Sequence, residues 1–292
     1  MTRSGRWRMR AIERITLEVS AERTVSIQDG TIEFPANTST PKSYDVYRNL
    51  GYWFLLLLVL VFGGFYTTYF SVFLQPKALI VHVHFTLMAL WIAMLIAQPF
   101  LIKYRKLAIH RMLGKTSYVL VPLSLISAFL MVRYSYYQFI ELNQNVAQGL
   151  NQLSEVQILQ RAAGIQAIAL FYVAWFILFY ILAVSNRRRT PIHSRYMLAT
   201  ALTLLGPTVD RIMVFGFKLE TLPGSIPIES VAFVIADAVL ITLLLKDYTN
   251  KRPTNALWTC LLIFVSGQML YFTVPGTDWW QPFVTFLMKP EP

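Results

Sequence analysis

Four histidines, and two carboxylates and an arginine set within apolar sequence, are the residues whose types suit chemistry. Imidazole ligates transition metals and exchanges protons near neutral pH. His110, in Ala-Ile-His-Arg-Met-Leu-Gly, and His193, in Pro-Ile-His-Ser-Arg-Tyr-Met-Leu, each follow a basic run and open an apolar stretch. Two such imidazoles at equal depth can ligate one haem iron from opposite faces if their helices are neighbours across a bundle. The plainer reading makes them interfacial residues that touch lipid phosphate or cap a helix. His82 and His84 stand just inside another apolar stretch. Positions two apart on a helix point to different sides, so only one of them looks into the bundle. Asp210 and Arg211, in Gly-Pro-Thr-Val-Asp-Arg, and Asp237 are charges inside apolar runs. Such charges are costly in lipid and mark functional positions, or else a buried pair of Arg211 with Asp237 or Asp210 that holds two helices together. Gln166 joins the same layer. The chain thus proposes two polar layers, one with His110 and His193 among arginines and one with His82, His84, Gln166, Asp210, Arg211 and Asp237.

The elements that must position them are set by composition. Of 292 residues, 55% are hydrophobic and 14% charged, against roughly a quarter charged in an ordinary soluble domain. A helix needs about 20 mostly apolar residues to cross a bilayer, because lipid leaves no backbone amide a partner. Seven stretches qualify, at about 52–74, 79–102, 114–132, 162–184, 196–217, 228–245 and 256–274. The fold expected is therefore an all-α integral membrane protein of about seven helices with a four-helix core. Pro122 should kink the third span, and the sixth is only just long enough. The single cysteine, Cys260, excludes an intramolecular disulfide framework and a zinc site built from several thiolates. The seventh span has no lysine for a retinal Schiff base, and no phosphate loop, nucleophile elbow or two-histidine zinc helix is present.

A net charge of +11 could mean nucleic acid, but its placement points to lipid. Lys103, Arg105, Lys106, Arg111 and Lys115, then Arg187, Arg188, Arg189 and Arg195, then Lys246, Lys251 and Arg252, fall in alternate loops on the side of the N-terminus. The other side keeps little beyond Lys77, Arg133, Arg161, Lys218 and Lys289. Positive loops stay inside, so the N-terminus is expected in the cytoplasm and the C-terminus outside, most simply in a bacterial inner membrane. Residues 1–50 form a polar segment in which 24–34 alternates around Asp29-Gly30, a hairpin signal in a stretch otherwise suited to disorder. Residues 51–275 form the membrane domain. Residues 276–292 carry Trp279, Trp280 and Phe283 as an interfacial aromatic tail. The polar loop 135–160 suggests a surface helix over 145–159.

Two segments repeat one order: an apolar span with a central tryptophan (Trp91, Trp175), a basic run, Ile-His, and another span. Laying Trp91 on Trp175 places His82 on Gln166. A duplicated helix pair is a common way to build a membrane site between two halves.

The stretch with His84, Trp91, Gln98, Arg105, His110-Arg111 and Gly114-Lys115-Thr116-Ser117-Tyr118 resembles a bacterial multi-pass family defined by a domain of unknown function. More distantly it is similar to the cytochrome b-561 family, whose haem histidines open four consecutive helices and pair alternately. That resemblance implies haem b between His110 and His193, a second site at His84 or His82 lost or altered because Gln166 replaces a ligand, and a quinone or another redox partner. The competing readings are a non-haem transporter using Asp210, Arg211, Asp237 and His84, and a structural subunit among other membrane proteins.

Overall fold

The computed structural model describes residues 26–28, 31–33, 47, 49–147, 154–219 and 221–289. The chain divides into two units, Met1–Asp45 and Val46–Pro292. In the first, β1 (Ser26–Gln28) pairs antiparallel with β2 (Thr31–Glu33), Ser26 opposite Glu33, Ile27 opposite Ile32 and Gln28 opposite Thr31. The remainder of residues 1–46 lies outside the described residues.

The second unit is helical. Helix α1 (Leu50–Phe65) continues through a π-helical turn at Tyr66–Phe70. Then follow α2 (Leu79–Lys103), α3 (Leu107–Ala147) and α4 (Glu155–Ser185). The next crossing is divided into α5 (Thr190–Leu202) and α6 (Leu205–Arg211), with a second π-helical turn at Ile212–Gly216. A short hairpin, β3 (Thr221–Leu222) with β4 (Ile226–Pro227), leads to α7 (Glu229–Thr249), α8 (Asn255–Thr273) and a terminal α9 (Trp280–Met288).

Six of these segments are long and apolar enough to cross a bilayer: Leu50–Phe70, Leu79–Lys103, Leu107–Gln144, Glu155–Ser185, Thr190–Gly216 and Asn255–Gly276. The protein is a multi-pass membrane protein. Helix α7 has the length, but it carries Glu229, Asp237, Lys246 and Asp247. Side-chain exposure agrees with a lipid surround: Val59 is 66% exposed and Leu79 77%, whereas Phe54 and Leu57, on the other face of α1, are 4% and 6% exposed. In water a leucine-rich outer belt would cost roughly 25 cal/mol for each Å² left exposed.

Two features depart from the linear reading. The stretch after Arg133 is not a loop with its own helix: α3 runs unbroken for 41 residues to Ala147. Between Arg133 and Ala147 there is neither glycine nor proline to stop it, and Glu155 to Leu159 belong to α4. At 1.5 Å per residue α3 spans about 60 Å, twice a hydrocarbon core. Its projecting end, the start of α4 and α9 enclose a satellite core of Val132, Tyr136, Ala162, Ala167, Trp280, Val284 and Met288. Trp280 is therefore not an interfacial anchor. It is 5% exposed and its indole donates to the Ala163 carbonyl, while Trp279 is 53% exposed.

The main core lies between α1, α2, α4, α5, α7 and α8 around Trp91, Leu95, Phe179, Leu240, Leu257 and Phe264. Close helix approach depends on Gly64: a Cβ there would meet the Thr208 carbonyl oxygen of α6 at 2.6 Å, whereas at Gly63 it would meet nothing within 4 Å. A carbonyl cannot swing aside as a side-chain tip can. Gly64→Ala should therefore cost about 1–3 kcal/mol, read as a lower unfolding midpoint in detergent. Gly63→Ala should leave the midpoint level or slightly higher; equal effects at both sites would refute the close approach of α1 and α6.

Candidate functional site

The helices bring polar groups together at two levels. At the end bearing the basic loops, Gln98 closes α2, His110 opens α3 and His193 opens α5. His193 Nδ1 lies 2.8 Å from the Ala183 carbonyl oxygen at the end of α4. A carbonyl only accepts, so Nδ1 carries the proton, and in the neutral ring Nε2 keeps its lone pair. His110 Nδ1 is buried without a partner. Its backbone oxygen accepts from Gln98 Nε2 at 3.3 Å, and Gln98 Oε1 is also buried and unpartnered. The His110 and His193 rings are close enough for their charges to interact. Helix α4 packs against both α3 and α5 and joins the two histidine-bearing helices. Behind them, Ser117 and Tyr180 share a 2.8 Å hydrogen bond, and the indole N–H of Trp91 is buried without an acceptor. Among the described residues no group of three or more His, Cys, Asp or Glu side chains is arranged to hold a metal ion. Iron here would need a porphyrin to supply its remaining ligands.

The repeat has unequal halves in space. Trp91 and Trp175 are both core residues, but only Trp175 has a partner, the Ile263 carbonyl at 3.1 Å. Gln166 faces Ser135, 3.4 Å away, beneath the satellite core. Sequence placed it beside the histidines of the second layer; no hydrogen bond joins it to them among the described residues.

His82 and His84 find different partners, as their two-residue spacing requires. His82 Nδ1 is 3.1 Å from the Tyr69 hydroxyl, with Tyr69 and Phe73 against its ring. His84 Nδ1 is 3.1 Å from Ser127 Oγ on α3, which itself donates to the Ser124 carbonyl, and the Arg211 charge reaches it.

The pairing of Arg211 with Asp210 or Asp237 is not made. The ion pairs among the described residues both involve Asp247. Arg211 instead donates to the Pro207 carbonyl at 3.1 Å and lies 4.4 Å over the Phe65 ring, a cation–π contact. Asp237 accepts from Gln268 at 3.1 Å. Asp210 Oδ1 is buried without a partner. Around Asp210 stand Tyr172, Glu229 and Tyr271, none of which the sequence singled out. The signal was Gly206-Pro207. Proline has no N–H to give the Thr203 carbonyl, the crossing breaks between Leu202 and Leu205, and Tyr172 fills the space beside Gly206.

A third cluster, at the basic end, also went unread. Asp247, 1% exposed, accepts from Arg195 Nε at 2.8 Å, from the Tyr47 hydroxyl at 2.8 Å and from Arg252 at 3.3 Å, with the Arg195 guanidinium 4.8 Å over the Tyr47 ring. It joins the approach to α1, the start of α5 and the end of α7. Comparison with known proteins finds no matching family model, no match among curated proteins and no match among solved structures.

Burial pushes the Tyr47 hydroxyl above the ordinary tyrosine range, and the Asp247 carboxylate adds to the effect against the opposing pull of Arg195. The folded state thus holds the Tyr47 proton more tightly than the unfolded chain. Its contribution is complete below about pH 10, the unfolded value, and is lost as pH rises beyond it. The alkaline fall in unfolding midpoint should be shallower in Tyr47→Phe than in the parent; identical slopes would refute the assignment. Asp247→Ala, which strands a buried guanidinium, should cost about 3–5 kcal/mol.

Proposed function

We propose that this chain is a seven-crossing protein of a bacterial inner membrane that holds one haem b between His110 and His193, near the cytoplasmic face, for electron transfer. The observation that carries the reading is the state of the two rings. His193 is oriented by a carbonyl on its Nδ1 side, as ligating imidazoles usually are, and His110 presents a buried nitrogen with no protein partner. Bound haem would supply a one-electron couple without an open iron position. The chain's part is to fix both imidazoles, to place Arg111 and Arg187 to Arg189 where they offset propionate charge, and to keep water from the Trp91 side of the site. The resemblance to the cytochrome b-561 family supports the same reading as analogy. A quinone or another redox partner would meet the bundle from the opposite layer.

One piece of geometry supports a count of seven. The Arg195–Asp247 pair sets the end of α7 level with the start of α5. With α5 and α6 together making one crossing, a returning α7 fits that placement, and its 21 residues reach about 30 Å. With the basic loops inside, the N-terminus is cytoplasmic and the C-terminus outside. A proton- or substrate-linked transporter is the competing reading.

The visible spectrum of the purified protein separates them. Haem gives a Soret band that sharpens on reduction and is lost in His110→Ala and in His193→Ala, with helical content unchanged by circular dichroism. A colourless, folded preparation from cells supplied with haem precursor would overturn the proposal.

A further inference from the structure

The Thr203–Leu204 break in the fifth crossing and the groups gathered above it make a second site, independent of the haem reading. Gly206 and Asp210 are four residues apart and share one face of α6. A Cβ on Gly206 would stand 1.8 Å from the Tyr172 hydroxyl oxygen, so that hydroxyl is set against this face, one turn from the Asp210 carboxylate. Tyr172 is 8% exposed and its hydroxyl has no hydrogen-bond partner; Asp210 Oδ1, also buried, has none either. Glu229, in the first turn of α7, and the Tyr271 hydroxyl, near the end of α8, lie against each other and within electrostatic reach of both. Tyr172 and Asp210 thus leave two unsatisfied oxygens in a region where an unsatisfied polar atom is expensive, with Glu229 and Tyr271, from two further helices, in electrostatic reach.

The sign of the charge selects the ligand. With both carboxylates ionised, as a bound cation would favour, Asp210 and Glu229 bring two negative charges and Arg211 one positive, while Arg211's guanidinium is turned to Phe65 and the Pro207 carbonyl. One negative charge remains. The C-terminal end of α5, whose dipole is negative, points at the break, and Pro207 leaves the Thr203 carbonyl without its helical donor. Hard oxygen donors without nitrogen or sulfur suit an alkali or alkaline-earth ion rather than a transition metal. A single net charge favours a monovalent one. Broken membrane helices with freed carbonyls are where such ions are coordinated.

We propose that Asp210, Glu229, Tyr172 and Tyr271 form a binding site for a monovalent alkali cation of about the size of sodium, entered from the Glu229 end. Asp210 and Glu229 supply the charge. Tyr172 supplies a neutral oxygen from the floor of the site.

The test is thermal unfolding of the full chain in detergent, titrated with NaCl against N-methyl-D-glucamine chloride at fixed pH and ionic strength. Sodium should raise the midpoint saturably. In Asp210→Asn the rise should be lost, and in Tyr172→Phe, which keeps the ring and removes only the hydroxyl, half-saturation should need at least about tenfold more sodium. Asp237→Asn, at a carboxylate already held by Gln268, should respond like the parent. A midpoint that is the same in both salts, or a sodium response that survives in Asp210→Asn and Tyr172→Phe alike, would overturn the site. If Asp210→Asn does not fold, the Tyr172→Phe titration alone decides it. Loss of the Soret band in the histidine variants bears only on haem and leaves this titration unchanged.

Discussion

Water does not reach the middle of a bilayer, so every polar group that this chain carries into its helices must be answered from within the bundle. That constraint explains why hydroxyls along the crossings are spent locally: Thr200, Thr203 and Thr208 bond to carbonyls three or four residues back. It also makes the exceptions informative. Each buried atom left unanswered costs about 1–3 kcal/mol in a protein interior. Among the described residues, His110 Nδ1 and Gln98 Oε1 are unanswered near one face, Asp210 Oδ1 and the Tyr172 hydroxyl toward the other, and Trp91 Nε1, Thr68 Oγ1 and Ser124 Oγ elsewhere.

The contrast with Asp247 shows what a settled polar cluster looks like in the same molecule. There a buried carboxylate accepts from two arginines and a tyrosine, and the Tyr47 ring lies under one guanidinium. The acceptor is used from several sides and three chain segments are tied together, which is the work of a structural ion pair. Neither the His110–His193 level nor the Asp210 level has that completeness. Arg211 makes the same point: a structural role would have paired it with a neighbouring carboxylate, yet it rests on a carbonyl and an aromatic face. The same reasoning separates Asp237, answered by Gln268, from Asp210.

Linear pattern marked six of the spans because length and apolarity are local properties, and it singled out His110, His193, Asp210 and Arg211 because polar residues stand out in apolar runs. It placed His82 and His84 on different neighbours from helical periodicity alone. It missed Tyr172 and Tyr271 because a tyrosine in an aromatic-rich helix carries no signal until its hydroxyl is seen to lack a partner. It passed over Asp247 because that residue follows Lys246 at a helix end, where a solvated charge is expected. The reading of 135–147 as loop failed for a related reason. Polarity resembles a loop, yet a sequence free of glycine and proline continues a helix once packing against α9 holds it.

Both polar levels are carried by the same broken crossing, with His193 at its start and Asp210 and Arg211 at its end. Between them lies close-packed apolar core, with Trp91, Phe176, Phe179 and Phe264 at or near full burial. The threonines within it have spent their hydroxyl protons on their own helix. Among the described residues no hydrogen bond joins side chains of one level to those of the other. The two levels share the backbone of this crossing, which is interrupted at Thr203–Leu204. There the chain has given up helical continuity, and Gly206 lets Tyr172 lie against the backbone. A change in charge at Asp210 acts on α6 directly, and α6 is clamped to α1 through the contact at Gly64. Rotation of α6 is thus opposed on one side while α5 stays anchored by the Arg195–Asp247 pair. The break between them and the π-helical turn at Ile212–Gly216 are where that crossing departs from regular α-helix.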